Sequence, residues 1–396
     1  MHKERITLAI VLAATSWVLF FLFLVGLEKG TIRPHGADGQ AAGKMGPFMP
    51  PAAPSIVKAH YDGTARVTAE SPGIFAYAHG TASADGKFFI GMADRSGNPF
   101  PSNQIIVMDD PENLSDYAIV SLPRAGDVET MAYDQRTDKV YFLLTGTSTL
   151  DLYALDPHAY GLSLIVSTTS IDAGPRPAIA TDGLYVYGIT DTDPSTVFKV
   201  DLSDGSLTTS SHGHIPHGHS VAIGIYPDST ELYFGGGMRN GFEKADAATL
   251  KPIAIADLAP CSLSDDSAFA PVDDRGGYVY VGCETVPEGR RIRTEDLSVT
   301  KFSLPGGSLG MFIFGNDLYN VAQDGAIDVF AGADIARIRR YRIADGIAPL
   351  DTKGQDLEPN ELFYSPMTGG IYFTAWWGVP GIYRISLADA AGLSIR

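Results

Sequence analysis

Apolar residues in this chain occur in short runs that are separated by turns rich in Gly, Pro, Asp and Ser. Residues 221–226 are largely apolar, residues 227–229 are Pro-Asp-Ser, and residues 232–234 are Leu-Tyr-Phe. An apolar run, a turn and a run of aromatic or β-branched residues are typical of two antiparallel strands joined by a tight turn. The pattern therefore predicts β structure.

The strand–turn–strand unit recurs along the chain. An aromatic residue holds the same place in the second strand of seven successive copies, at intervals of 39 to 53 residues: Phe89, Tyr141, Tyr185, Tyr233, Tyr280, Tyr319 and Tyr372. Short strands repeated at this spacing are typical of propeller blades, whereas a two-helix repeat would show apolar residues three and four apart. We predict an all-β, seven-bladed β-propeller with four-stranded antiparallel blades over residues 56–396.

Two segments of the sequence could supply the strand that closes the ring of blades. Residues 56–61 can supply the outermost strand of the seventh copy, which would pin the two ends of the domain together. Alternatively, residues 393–395 fill that position and residues 56–70 form a lead-in. We favour the first solution slightly.

Two stretches, 171–186 and 214–233, resemble the repeat of YVTN-type, quinoprotein-like propellers. That repeat has a glycine and a Pro-His-Gly-type opening before an apolar strand, then a Pro-Asp-Gly-Lys-type turn and a Leu-Tyr-Val strand. The chain departs from it at Ser229-Thr230, at residues 315–317 and at residues 367–369. The resemblance covers about residues 70–390 and implies the fold, but propellers include enzymes, binding modules and scaffolds.

The N-terminal region predicts a membrane anchor. Residues 6–27 contain no charge, and as a helix these 22 residues would span about 33 Å, which matches a bilayer core. A cleaved signal peptide is the alternative. Lys3 and Arg5 precede the span, which places residues 1–5 in the cytoplasm and the propeller in the periplasm or outside the cell. Residues 28–55 are dense in Gly, Pro and Ala, which is typical of a flexible tether.

Net charge and cysteine content restrict which partners and which compartment the protein can have. A net charge of −17 and the lack of a basic stripe argue against a nucleic-acid partner. The two cysteines, Cys261 and Cys283, would form a disulfide in an exported domain or remain two buried thiols.

A histidine cluster is the most unusual local feature of the sequence. We expect His212 and His214 on one face of the last strand of copy three, with His217 and His219 in the following loop. Two histidines in a His-x-His pattern are a common pair of ligands for Zn²⁺ or Cu²⁺. The alternative is that His217-Gly218 is a structural turn and that the other histidines are solvated.

A second candidate site is the mouth of the central channel, where the innermost strands of all blades begin. Polar residues near those starts are His79, Glu129, Arg176, His219, Asp265, Asp266, Glu358, Asn360 and Glu361. Propeller lactonases and lyases hold a divalent ion at such a mouth, and Ca²⁺ is an alternative to Zn²⁺ or Cu²⁺ for a carboxylate-rich set. The alternative is a hydrated channel without metal.

These patterns predict a non-catalytic protein-binding, accessory or scaffold subunit of a membrane complex, such as an energy-transducing assembly. An anchor and tether raise the effective concentration of a rigid ring near a membrane partner. Trp376 and Trp377 are candidate interface residues, and we expect no cofactor. The alternative is a metal-dependent, lactonase-like or lyase-like enzyme with its site at the channel mouth.

Overall fold

The computed structural model describes most of the chain after residue 62. The described ranges are 63–69, 78–92, 103–109, 117–145, 149–174, 177–225, 230–236, 241–261, 277–283, 286–308, 310–314, 317–322, 326–330, 335–336, 338–343, 359–365, 370–375 and 382–389. Within these ranges no helix is long and apolar enough to cross a membrane. The predicted anchor (6–27) and tether (28–55) lie outside the described residues.

The described chain folds into short β-strands. The first thirteen are β1 (Gly63–Ala69), β2 (Ala78–Ala82), β3 (Phe88–Met92), β4 (Gln104–Met108), β5 (Tyr117–Ser121), β6 (Asp127–Asp134), β7 (Lys139–Thr145), β8 (Leu150–Leu155), β9 (Leu162–Thr168), β10 (Ala178–Thr181), β11 (Tyr185–Ile189), β12 (Ser195–Asp201) and β13 (Leu207–His212). The others are β14 (Gly218–Ile225), β15 (Thr230–Gly236), β16 (Gly241–Asp246), β17 (Pro252–Asp257), β18 (Tyr278–Gly282), β19 (Glu288–Arg293), β20 (Val299–Ser303), β21 (Gly310–Phe314), β22 (Asp317–Val321), β23 (Ala326–Phe330), β24 (Ile338–Ile343), β25 (Pro359–Ser365), β26 (Gly370–Ala375) and β27 (Ile382–Asp389).

Consecutive strands pair into antiparallel sheets that follow the predicted copies. The first to fourth sheets contain β2–β5, β6–β9, β10–β13 and β14–β17, and the fifth contains β18–β20. The remaining strands form an eight-stranded sheet in the order β21-β22-β23-β24-β1-β27-β26-β25. Neighbouring strands in chain order therefore lie side by side, as in a meander.

The N-terminal strand β1 joins the two ends of the domain. It pairs antiparallel with β27, with Gly63 opposite Asp389 and Ala69 opposite Tyr383. It also pairs in parallel with β24, with Gly63 opposite Tyr341. The described closing strand therefore begins after the predicted residues 56–61, which lie outside the described residues.

The hydrophobic core lies between neighbouring sheets. One cluster joins Phe89 and Val107 of the first sheet to Phe142 of the second, and equivalent clusters fill the next contacts between sheets. Six of the seven repeat aromatics are buried. Tyr185 is only half-buried, and Lys199 lies over its ring at 5.0 Å.

A disulfide joins Cys261, after the fourth sheet, to Cys283, at the end of β18, with a Cα–Cα distance of 5.0 Å. Both residues are buried among Leu258, Val281 and Ile292. The bond closes a loop across a sequence separation of 22 residues. It therefore restrains the connection between the fourth and fifth sheets.

Replacing Cys261 with serine should lower the free energy of unfolding by about 3 kcal/mol, because a crosslink of this loop length restricts the unfolded chain. Chemical unfolding with and without reductant measures the effect. The variant Cys261→Ser/Cys283→Ser is the control, since reductant should not change its unfolding midpoint. Equal midpoints for oxidised and reduced wild type would contradict the prediction.

Candidate functional site

An aspartate–histidine pair lies between the third and fourth sheets. Nδ1 of His217 is 2.9 Å from Oδ1 of Asp191. The Asp191 side chain is 5% exposed, whereas that of His217 is 33% exposed. A buried carboxylate thus orients an imidazole that reaches solvent.

Local sequence fixes both members of the pair. The backbone N–H of Asp191 donates to the carbonyl of Ala173 at 2.9 Å, and a Cβ on Gly174 would lie 2.0 Å from the Asp191 carbonyl oxygen, so only glycine fits there. His217 has a φ of 54°, and its N–H donates to the carbonyl of Thr192 at 2.9 Å. The segments that contain Gly174, Asp191 and His217 therefore meet beside the imidazole.

His212 has a different environment from His217, because it is fully buried at the end of β13. Its Nε2 is 2.8 Å from the carbonyl oxygen of Leu250, and its Nδ1 is 2.6 Å from Oε1 of Glu243. The Nδ1 contact is an ion pair that is poorly aligned for a hydrogen bond, and neither Glu243 oxygen has a hydrogen-bond partner in the described chain. His212 therefore links the third and fourth sheets.

Glu243 belongs to a set of buried charges at equivalent positions of three successive units. Each lies on the strand that follows the one with the repeat aromatic, opposite the residue next to that aromatic: Glu243 opposite Phe234, Arg290 opposite Val281, and Asp328 opposite Asn320. All three side chains are fully buried. A buried charge therefore recurs at the same strand position in three successive units.

Asp328 is at the centre of the most extensive of these buried contacts. Arg340 Nη1 donates to Asp328 Oδ1 at 3.1 Å, and Asn320 Nδ2 donates to Asp328 Oδ2 at 3.0 Å. The same Asn320 amide donates to the Gly307 carbonyl at 2.9 Å. The side chains of Asn320, Asp328 and Arg340 therefore connect β22, β23 and β24 to the segment before β21.

Asp182, between β10 and β11, connects the third and fourth sheets away from the histidines. The hydroxyls of Tyr187 and Thr230 donate to Oδ2 of Asp182 at 3.2 and 3.1 Å. Burial and the nearby Asp182 charge raise the pKa of Tyr187, because both disfavour a phenolate. Tyr187 therefore donates as a neutral phenol within the third sheet, and the hydroxyl of Thr230, on β15, connects Asp182 to the fourth sheet.

The described residues do not gather the predicted metal ligands. His214 lies beyond the end of β13 and is exposed, so it does not share a strand face with His212. His219 lies within β14 rather than in the loop, and Glu129 is buried in β6. In the described ranges no three His, Cys, Asp or Glu side chains are grouped closely enough to hold a metal ion.

Several predicted site residues fall outside the described part of the chain. They are Arg176, Asp265, Asp266, Glu358, Trp376 and Trp377. The predictions for these residues therefore remain predictions.

Three site residues are not among those predicted from the sequence: Asp191, Glu243 and Asp328. Glu243 shares its strand with Lys244 and Asp246, so its charge does not stand out in the sequence. For Asp328 a signal was present, because a lone carboxylate interrupts the apolar strand 326–330. A charge inside a strand that is otherwise buried implies an internal partner. Asp191 lies in a Thr- and Asp-rich loop, where nothing distinguishes it from turn residues.

No protein-family model and no curated protein sequence matches this chain. Solved structures do match its fold. A catalytically inactive variant of virginiamycin B lyase from Staphylococcus aureus, solved with quinupristin, has a TM-score of 0.58 at 13% identity over 81% of this chain and 99% of that chain.

Two further solved structures show the same likeness. A chain of the mitotic checkpoint complex has a TM-score of 0.59 at 11% identity over 81% of this chain and 93% of that chain. Sqt1 from Saccharomyces cerevisiae has a TM-score of 0.53 at 10% identity over 83% of this chain and 100% of that chain. At such identities the comparisons establish the fold alone, and the chain has a β-propeller fold.

Proposed function

We propose that this protein is a membrane-anchored, seven-bladed β-propeller that serves as a protein-binding accessory or scaffold subunit and needs no chemistry for that role. One observation carries the proposal: large apolar side chains are exposed on the outermost strands of several sheets. A rigid ring with apolar residues on its rim is suited to hold a partner.

Support for seven blades comes from strand pairing. Five sheets follow the first five copies, and the eight-stranded sheet divides into β21–β24 and a second group formed by β25–β27 with β1. The parallel contact of β1 with β24 joins these two groups. Seven repeat aromatics match seven such units.

The rim residues are concentrated on edge strands. Ile253 and Ile255 of β17 are 60% and 48% exposed. Further exposed apolar residues on outermost strands are Tyr117, Ile119, Leu164 and Val299. Burying such side chains contributes about 1.5–3 kcal/mol each when the burial is complete, which is enough to support a specific interface.

The proposed location is the periplasm or the cell exterior, with residues 6–27 as an uncleaved anchor. The disulfide between Cys261 and Cys283 supports this location, because such bonds persist in oxidising compartments. We expect the mature protein to retain residues 6–27 and protease added to spheroplasts to digest the propeller. A mature N-terminus near residue 28 would contradict the anchor.

If the apolar rim binds the partner, a charge introduced on the rim should prevent binding, whereas a charge introduced elsewhere should not. Ile253→Glu and Ile255→Glu should abolish co-purification of the membrane partner with the full-length protein, because a carboxylate cannot be buried in an apolar contact without a large desolvation cost. Thr208→Glu and Thr209→Glu, on the exposed strand β13, are matched controls that should retain the partner. Equal retention by all four variants would contradict the rim as the binding surface.

A metal-dependent enzyme is the second candidate, and the orientation of His217 by Asp191 favours it. A histidine ligand commonly donates its second ring N–H to a carboxylate in this way. Elemental analysis of the purified protein distinguishes the two candidates. A stoichiometric Ca, Zn or Cu content that is lost in His217→Asn would replace the binding proposal with the enzyme.

A further inference from the structure

We propose that Asp191 and His217 form a general-base centre that activates water for the hydrolysis of a small, neutral ester. This activity goes beyond the binding role, which rests on the rim. The proposal rests on the geometry of the Asp191–His217 pair and on the hydrogen bonding of the two ring nitrogens of His217.

The Asp191 carboxylate selects the tautomer of His217. An ionised carboxylate only accepts hydrogen bonds, so the ring places its proton on Nδ1 and donates it to Oδ1 over 2.9 Å. The neutral ring then carries its lone pair on Nε2. Nε2 of His217 makes no hydrogen bond within the described chain, and the side chain is 33% exposed. The basic nitrogen is therefore available to water.

The backbone holds the imidazole in one position. A φ of 54° is uncommon for a residue other than glycine, and such conformations persist where the surroundings fix them. Here the His217 N–H donates to the Thr192 carbonyl, and the next N–H, of Gly218, donates to Oγ of Ser195 at 2.9 Å. A base held on both sides in this way is preorganised for proton transfer.

The other histidines with described side chains lack this combination. His212 is buried with both nitrogens engaged. His158 has a carboxylate near each nitrogen, with Nε2 2.9 Å from Asp138 and Nδ1 3.7 Å from Asp85. His214 has no carboxylate contact among the described residues. Of these four, His217 alone pairs an orienting carboxylate with an unengaged Nε2.

The reaction balances with water as the only co-reactant. Nε2 accepts a proton from water while the oxygen attacks the carbonyl carbon, and the bond to the alkoxy group then breaks. The departing oxygen takes the proton from Nε2–H, which yields acid and alcohol and restores the base. Exposed carboxylates at Asp172 and Asp193 and the net charge of −17 disfavour anionic substrates, so a neutral ester is the expected class.

Hydrolysis of p-nitrophenyl acetate by the full-length protein tests the proposal. His217→Asn should lower the rate about 100-fold, in the range of general-base contributions, while Asn tolerates the positive φ. Asp191→Asn should lower it about 10-fold, because the orienting carboxylate is lost. His214→Gln is the matched control and should keep the wild-type rate. A wild-type rate in His217→Asn would overturn the proposal.

A second measurement does not depend on the folding of variants. Diethyl pyrocarbonate acylates unprotonated imidazole nitrogen, so in the wild-type protein His217 should be modified at a lower reagent concentration than His214 and His158. Peptide mass mapping reads the order of modification. Slower modification of His217 than of both others would overturn the proposal. The rim variant Ile253→Glu should retain hydrolysis, which separates failure of this site from failure of the binding role.

Discussion

Replacing Asp328 with alanine should lower the free energy of unfolding by about 3–5 kcal/mol, because the change leaves a buried guanidinium without the carboxylate that pairs with it. Asp328 is fully buried, and its partner Arg340 is 3% exposed. Arg340 Nη1 lies 3.1 Å from Oδ1, and Asn320 donates to the other carboxylate oxygen. The alanine variant therefore loses an ion pair and a hydrogen bond at once.

Two controls isolate the buried charge as the cause. In Asp328→Leu/Arg340→Met both charges are removed, and apolar replacement of a buried pair is often neutral or stabilising, so this variant should unfold later than Asp328→Ala. Glu295→Ala removes an exposed carboxylate 3.9 Å from Arg293 and should have no measurable effect. Chemical unfolding midpoints provide the comparison. Equal midpoints for the single and double variants would contradict the mechanism.

Much of the fold could be predicted from sequence, because local chemistry determines it. Alternation of apolar runs and turns located most strands, and the repeat aromatic identified the second strand of each unit. The closing strand was harder to place. Residues 63–69 pair with β27 through backbone groups, and their composition differs little from that of residues 56–61. Register between distant segments depends on contacts that a local pattern does not contain.

The candidate site was less accessible to sequence analysis for the same reason. The histidine cluster contains both His212 and His217, but these neighbours along the chain diverge in space. His212 turns into the contact between sheets, whereas His217 turns toward solvent. Their partners, Glu243 and Asp191, are 31 and 26 residues away in sequence and lie on opposite sides of the cluster. Only the pairing of whole sheets brings them together.

The buried charges explain how the sheets keep their order. An apolar contact between sheets is tolerant of small shifts, whereas a buried ion pair is stable only when its partners meet. Glu243 meets His212 across the contact between the third and fourth sheets, whereas Asp328 pairs with Arg340 and Asn320 on neighbouring strands of its own sheet. A shift between the third and fourth sheets would therefore separate Glu243 from His212. We infer that this pair favours one arrangement of the two sheets.

Replacing His212 with leucine should also lower stability strongly, because Glu243 stays buried without the one ionic partner that it has among the described residues. Nδ1 of His212 lies 2.6 Å from Oε1 of Glu243, and Nε2 contacts the carbonyl oxygen of Leu250. Both side chains are fully buried. Removing the imidazole should therefore lower the free energy of unfolding by about 3–5 kcal/mol.

Chemical unfolding midpoints of the wild type and of His212→Leu measure the loss. Equal midpoints for the two proteins would contradict a stabilising role for the His212–Glu243 contact.

The conservative variant Glu243→Gln provides the matched test of this mechanism. The glutamine amide can donate to Nδ1 of His212 while Nε2–H still donates to the carbonyl of Leu250, so the free energy of unfolding should fall by less than about 1 kcal/mol. A loss in Glu243→Gln as large as that in His212→Leu would show that the buried charge is not the cause.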